Sequence, residues 1–213
     1  MKIETNILRE VLQAKNTFQE NEITILDISI DSRSLRNVSH TLFFALKGIH
    51  HNAHDYLADL YEKGVRYFVV SEKVLLPNDA VLFLVDNTLN ALQAFVSFYR
   101  KRYHFPVIGI TGSNGKTIVK EWLNQLLSPF YNIIKNPKSY NSQVGVPLSV
   151  VAINEEHNLG IFEAGISQPN EMIRLQGIIQ PTIGVLTNIG SAHNEGFSSK
   201  EEKLQEKLLL FKD

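Results

Sequence analysis

Val107-Ile108-Gly109-Ile110-Thr111-Gly112-Ser113-Asn114-Gly115-Lys116-Thr117 joins an apolar run to a glycine-rich turn, and an amphipathic segment follows at once. Residues 107–110 read as a buried strand, and residues 117–127 as a helix with Ile118, Trp122 and Leu126 on one face. A glycine turn between strand and helix is a phosphate-binding arrangement. Gly112 and Gly115 let the backbone curl so that N–H groups point at phosphate oxygens. The helix N-terminus adds partial positive charge. Lys116 supplies a full charge for the β- and γ-phosphates, and the Thr117 hydroxyl can ligate Mg²⁺. The common spacing G-x-x-x-x-G-K-[ST] is not met, because Ile110 stands five residues before Gly115. The string is a shorter G-x-x-G-K-T, and its place between strand and helix carries the reading. The competing reading is a plain turn with Lys116 at an exposed first-turn site. Thr111, Gly112, Ser113, Asn114, Gly115, Lys116 and Thr117 are the expected ATP-binding residues.

Strands and helices alternate on the C-terminal side. Residues 132–134, 160–163 and 183–187 read as strands, and 169–176 and 199–212 as helices. That alternation predicts a parallel sheet covered by helices, with ligands at the carboxyl ends of its strands. On the N-terminal side, residues 23–30, 42–46, 65–70 and 81–85 read as strands. Residues 54–63 read as a helix stopped by Gly64. Asn87 is the expected N-cap of a further helix that carries Leu89, Leu92, Val96 and Tyr99 at helical spacing. Residues 100–106 end in a proline and mark the expected boundary. The fold class expected is α/β: a small mixed α/β domain over residues 1–103, then a P-loop-type parallel-sheet domain over residues 107–213.

The 21 Lys+Arg and 22 Asp+Glu leave a formal net charge of −1, so nothing favours general nucleic-acid binding. Cysteine is absent, which excludes disulfides and thiolate metal sites and fits a reducing compartment. The start has no apolar core of signal-peptide length. Runs such as residues 81–85 fall far short of the ~20 residues of a spanning helix. A cytoplasmic protein without membrane insertion is expected.

Beyond the loop, an ordered series of segments resembles the Mur ligases. Residues 110–117 resemble the family's ATP loop. Asp31-Ser32-Arg33, residues 42–48 and Asn52-Ala53-His54-Asp55 resemble its N-terminal UDP-sugar domain. Val119-Lys120-Glu121 and residues 141–148 are similar to the branch that adds D-alanyl-D-alanine. Glu163-Ala164-Gly165 and residues 187–197 complete the series. The resemblance implies an ATP-dependent peptide ligase of peptidoglycan precursor synthesis. It would join UDP-N-acetylmuramoyl-tripeptide to D-alanyl-D-alanine through an acyl phosphate, with ATP and Mg²⁺, as a monomer. It also implies three domains, of which this sequence holds the first and part of the second. The chain therefore reads as a piece inactive alone. Some relatives are fused to an alanine racemase, a matter for residues past 213.

The resemblance assigns roles. Thr117, Glu163, His193 and a carbamylated Lys207 would hold Mg²⁺. Lys116, Lys207, His193 and Asn188 would be catalytic, and Asp31, Ser32, Arg33 and Asn141 would bind substrate. By geometry alone, Lys207 borders the face of Leu204, Leu208 and Phe211, but Lys200 and Lys203 lie on the same side. Burial would favour its reactive neutral amine, and the bland alternative is a snorkelling lysine. His50, His51 and His54 in one loop lack a second ligand set for zinc, so a structural loop is the expectation. Two other functions stay open: a folylpolyglutamate-synthase-like ligase and a non-catalytic nucleotide-binding module.

Overall fold

The structure, a computed structural model, describes residues 1–16, 21–190 and 196–212. The chain divides into two compact units, Met1–Phe95 and Val96–Asp213.

In the first unit, β1 (Lys2–Glu4) leads into α1 (Thr5–Leu12) and pairs antiparallel with β2 (Glu22–Thr24). Leu8 and Leu12 recur four residues apart and are buried. A parallel sheet follows, built from β3 (Asp27–Ser29), β4 (Thr41–Phe44), β5 (Tyr67–Val70) and β6 (Val81–Leu84), in that order across the sheet. Between β4 and β5 runs α2 (Leu57–Glu62), entered through a 3₁₀ turn (Ala53–Tyr56). Leu57 and Leu60 of α2 pack with Phe43, Phe68 and Val70, and the rings of Phe43 and Phe68 meet edge-on at 6.5 Å. Burial of each such side chain contributes about 1.5–3 kcal/mol.

Two expectations here need correction. Residues 23–30 are not one strand, because β2 and β3 belong to different sheets. The apolar run continues across the crossing because Ile25 is buried as well, so hydrophobicity alone does not show the break. Residues 54–63 are not helical from their start. The Asn52 side chain accepts from the His54 N–H and tightens the entry into 3₁₀ geometry.

The helix α3 (Thr88–Arg100) starts after Asn87, whose side chain accepts from the Asn90 N–H as an N-cap does. In the second unit come β7 (Val107–Thr111), α4 (Lys116–Leu127), β8 (Ile133–Lys135), α5 (Gly145–Val150), β9 (Leu159–Glu163), α6 (Glu171–Ile179), β10 (Ile183–Leu186) and α7 (Lys200–Leu208). A 3₁₀ turn, Leu209–Phe211, follows α7. The strands form an all-parallel sheet in the order β10-β7-β9-β8. The α/β class with a parallel-sheet second part is therefore as expected. The central strands β7 and β9 are buried along their whole length, as their unbroken apolar runs require.

The orientation of α4 differs from the expectation. Ile118, Trp122 and Leu126 are 56%, 64% and 68% exposed, whereas Val119, Leu123 and Leu127 pack on Ile108, Ile110, Leu159 and Ile161. The two stripes are adjacent ridges with the same spacing, one residue apart. Periodicity cannot choose between them, and the turn that delivers the helix to the sheet does. Arg100 is a further buried charge. Its guanidinium donates to the carbonyls of Ile179 (3.1 Å) and Gln180 (3.4 Å) at the end of α6, where the helix dipole favours a cation.

Candidate functional site

The carboxyl ends of β7, β8, β9 and β10 deliver one group of polar side chains, where open parallel sheets present ligands. The bend after β7 is shaped by two glycines. Gly112 has φ +142°, and a Cβ there would lie 2.0 Å from Thr187 Oγ1; Gly115 has φ +80°. Both conformations favour glycine.

A second segment, running on from β10, ties the bend down. The Ser113 N–H donates to Asn188 O and the Asn114 N–H to Asn188 Oδ1, each at 2.9 Å. Thr187 Oγ1 donates to Asn114 O at 2.6 Å, and the Gly190 N–H donates to Ser113 Oγ at 2.9 Å. Thr111, the last residue of β7, donates through Oγ1 to Ala164 O at 3.0 Å. Lys116 folds back over the bend, with Nζ 2.9 Å from Gly112 O and 3.2 Å from Ser113 O. Burial lowers its pKa, while the Glu163 charge raises it and Lys203 lowers it further.

Glu163 closes β9 and is fully buried. Its Oε2 accepts from the Thr117 hydroxyl at 2.9 Å, and its buried Oε1 accepts no hydrogen bond among the described residues. A buried carboxylate oxygen left without a donor is costly. It fits a hard cation, and so does the neighbouring hydroxyl oxygen. Mg²⁺ prefers such oxygen donors, needs few from the protein and keeps several waters.

Residues 110–213 match the family described as the Mur ligase middle domain. A UDP-N-acetylmuramoyl-tripeptide–D-alanyl-D-alanine ligase of Synechocystis is 36% identical over 173 residues, covering 81% of this chain and 38% of its own length. The chain belongs to the Mur ligases. A crystal structure of MurF from Acinetobacter baumannii superposes with a TM-score of 0.86 at 26% identity, covering 99% of this chain and 46% of that one. MurF of Thermotoga maritima in complex with ADP gives 0.79 at 28% identity, over 86% of this chain and 42% of that one. The chain thus spans less than half the length of these Mur ligases.

Within this Mur ligase chain, Lys207 reaches the bend from α7. It is 2% exposed, and its Nζ donates to Gly112 O at 3.2 Å. Burial lowers its pKa to about 8, with the charges of Lys116 and Lys203 adding to the effect. Asn141 stands beside Gly165, whose N–H donates to Asn141 O at 2.8 Å. A cavity of about 320 Å³ opens there, with Lys116, Asn141, Gln143, Glu171 and Lys207 in its wall. His193 lies outside the described residues. The structure therefore brings residues 111–117, Asn188, Glu163, Lys207 and Asn141 to one region of the second unit.

Asp31, Ser32 and Arg33 belong to the first unit and make a turn of their own. Arg33 forks onto Asp31, Nε to Oδ1 and Nη2 to Oδ2, both at 2.9 Å. Those hydrogen bonds hold the Asp31 carboxyl down at about 2. His54 is buried between Asn52 Oδ1 (2.7 Å from Nδ1) and the Ser71 N–H (3.0 Å from Nε2), the structural use its loop suggested.

Two residues with no role assigned from sequence support Glu163 from behind. Fully buried Lys120 sits 3.7 Å from Glu163 Oε1 and donates to Asn136 O at 2.9 Å. Asn136, also fully buried, accepts the Glu163 N–H on Oδ1 at 2.7 Å and donates to Glu163 O at 3.4 Å. The signal for Lys120 was present: a lysine on α4 next to Val119 and Leu123 points inward once the packed ridge is known.

Proposed function

We propose that the chain is the nucleotide- and UDP-sugar-peptide-binding part of an ATP-dependent ligase. This enzyme adds D-alanyl-D-alanine to UDP-N-acetylmuramoyl-tripeptide during peptidoglycan precursor synthesis. Residues 1–103 take the UDP-N-acetylmuramoyl-peptide, with Asp31, Ser32 and Arg33 at its nucleotide end. Residues 107–213 take ATP. The protein works as a monomer in the cytoplasm, where ATP is made available. No helix among the described residues is long and apolar enough to cross a membrane. The names of the similar ligases and the ADP complex of the T. maritima relative support this reading.

The observation that carries it is the convergence of Lys116, Thr117 and buried Glu163, whose Oε1 accepts no hydrogen bond among the described residues, at the mouth of one glycine bend. The N–H groups at the start of α4 and Lys116 hold the terminal phosphates, and Lys116 draws charge from the γ-phosphate as the peptide carboxylate attacks it. A carboxylate O–P bond forms as the bond from the γ-phosphorus to the bridging oxygen breaks, giving an acyl phosphate and ADP. The D-alanyl-D-alanine amine then adds to the acyl carbon, and phosphate leaves. Thr117, Glu163, His193 and a carbamylated Lys207 would hold Mg²⁺, which would supply positive charge against the phosphate oxygens. Asn141 orients the carboxylate from the cavity beside Lys207, and Asn188 keeps the bend in shape.

Binding tests this directly. Titration calorimetry of the chain with a non-hydrolysable ATP analogue should show Mg²⁺-dependent binding that Lys116→Ala abolishes. Thermal shift should show stabilisation by UDP-N-acetylmuramoyl-tripeptide and none by folates. A folate-only response, or a Lys116→Ala variant that binds like wild type, would reject the proposal.

A further inference from the structure

The helix α7 puts two lysines one turn apart on its buried face. Lys203 and Lys207 are 1% and 2% exposed. Side chains at this spacing are neighbours, with Cβ atoms about 5–6 Å apart. Their ammonium groups reach two adjoining stretches of backbone: Lys203 Nζ donates to Gly190 O at 2.9 Å, and Lys207 Nζ to Gly112 O at 3.2 Å. The Gly190 N–H to Ser113 Oγ bond joins those stretches. Lys116 lies on the same Gly112 carbonyl. Like charges gathered on a buried helix face repel one another. A change in the sign of the charge on Lys207 would turn its repulsion with Lys203 into attraction.

We propose that Lys203 is the counter-cation of a carbamate on Lys207, a positioning residue that stabilises this modification. The inference rests on the carbamate reading above and adds its partner. In the step itself, the free amine of Lys207 gives its lone pair to the carbon of CO₂ and forms an N–C bond. One C–O π pair moves onto oxygen, and the surplus proton on nitrogen goes to water. A repulsive pair on α7 is then an attractive one, and Lys203 keeps its hold on Gly190 beside the phosphate bend.

The chain is equilibrated with ¹³C-bicarbonate and the carbamate carbon followed by NMR, assigned by its disappearance in Lys207→Arg. Lys203→Gln keeps a donor for Gly190 O but removes the charge, and should lower occupancy on the order of tenfold, the scale set by one nearby opposite charge. Lys203→Arg keeps the charge and should retain the signal. Circular dichroism checks the fold. If Lys203→Gln does not fold, Lys203→Met against Lys203→Arg makes the same comparison. Full occupancy in Lys203→Gln, or loss in Lys203→Arg equal to that in Lys203→Gln, overturns the role of Lys203 while the carbamate stands. No signal in wild type removes the carbamate itself, and this inference with it.

Discussion

Replacing Gly112 by alanine tests whether the bend after β7 is fixed by backbone geometry. A Cβ at that position meets Thr187 Oγ1 at 2.0 Å and the backbone N and O of Asn188 at 3.1 Å, with φ at +142°. Contacts this close force the 187–188 segment to move, and that segment holds the Ser113 and Asn114 N–H groups. Backbone strain costs about 1–3 kcal/mol, and overpacking adds about 1–3 kcal/mol. The sum is roughly 2–6 kcal/mol, a fall in Tm of roughly 4–24 °C for a chain of this size. Two companion variants calibrate the result. Gly115 has φ +80° but open space where a Cβ would go, so Gly115→Ala pays only the left-handed cost of about 1–2 kcal/mol. Gly177 lies inside α6 with nothing near its Cβ position, so Gly177→Ala should stabilise by about 0.5–1 kcal/mol. Urea unfolding of the three variants should rank Gly177→Ala above wild type, then Gly115→Ala, then Gly112→Ala. A Gly112→Ala midpoint at or above that of Gly115→Ala would refute the reasoning.

Glu163→Gln should weaken the Mg²⁺-dependent part of nucleotide binding on the order of tenfold to a hundredfold and leave metal-free binding nearly intact. Calorimetry with and without Mg²⁺ checks this, and an equal loss in both would argue against a metal role. Asp31 should titrate near 2 by NMR, and Arg33→Ala should return it toward the ordinary 3.8. Because the folded value is the lower one, any stability from this pair is present above about pH 4 and fades as pH falls toward 2. Its exposure to solvent keeps that contribution small. Trp122, the one tryptophan of the chain, is 64% exposed. Its emission should be red-shifted and readily quenched by acrylamide, and Trp122→Gln should change stability by less than about 0.5 kcal/mol. A blue-shifted, quencher-resistant spectrum would mean that α4 presents its other ridge to the sheet.

Legibility followed the range of the interactions. The unit from β7 through the bend to α4 was readable because its signals are local: an unbroken apolar run, two glycines and a lysine at the helix start. The strands β4, β5, β6, β9 and β10 were readable for the same reason. What failed depended on distant partners. Nothing within residues 23–30 shows that β2 pairs with β1 while β3 pairs with β4. The packed ridge of α4 is decided by the sheet beneath it. The helix α5 went unnoticed because Gly145 and Pro147 stand in its first turn, where both are tolerated yet read as loop. In the candidate site, residue types pointed to Lys116, Thr117 and Glu163. The support given by Lys120 and Asn136 exists only once the strand ends are side by side. Choosing among Lys200, Lys203 and Lys207 likewise needed a partner, because only the packed helix shows Lys203 and Lys207 turned inward.

The lacing of residues 112–114 to residues 187–190 has a thermodynamic corollary. On the proposed reading, an arriving triphosphate would meet a bend already held in shape, so little main-chain freedom would remain to be lost on complex formation. The cost would fall instead on Lys116, which must exchange two carbonyl partners for the ligand. Calorimetric signatures of nucleotide capture by this chain should therefore be governed by side-chain desolvation rather than by ordering of the loop.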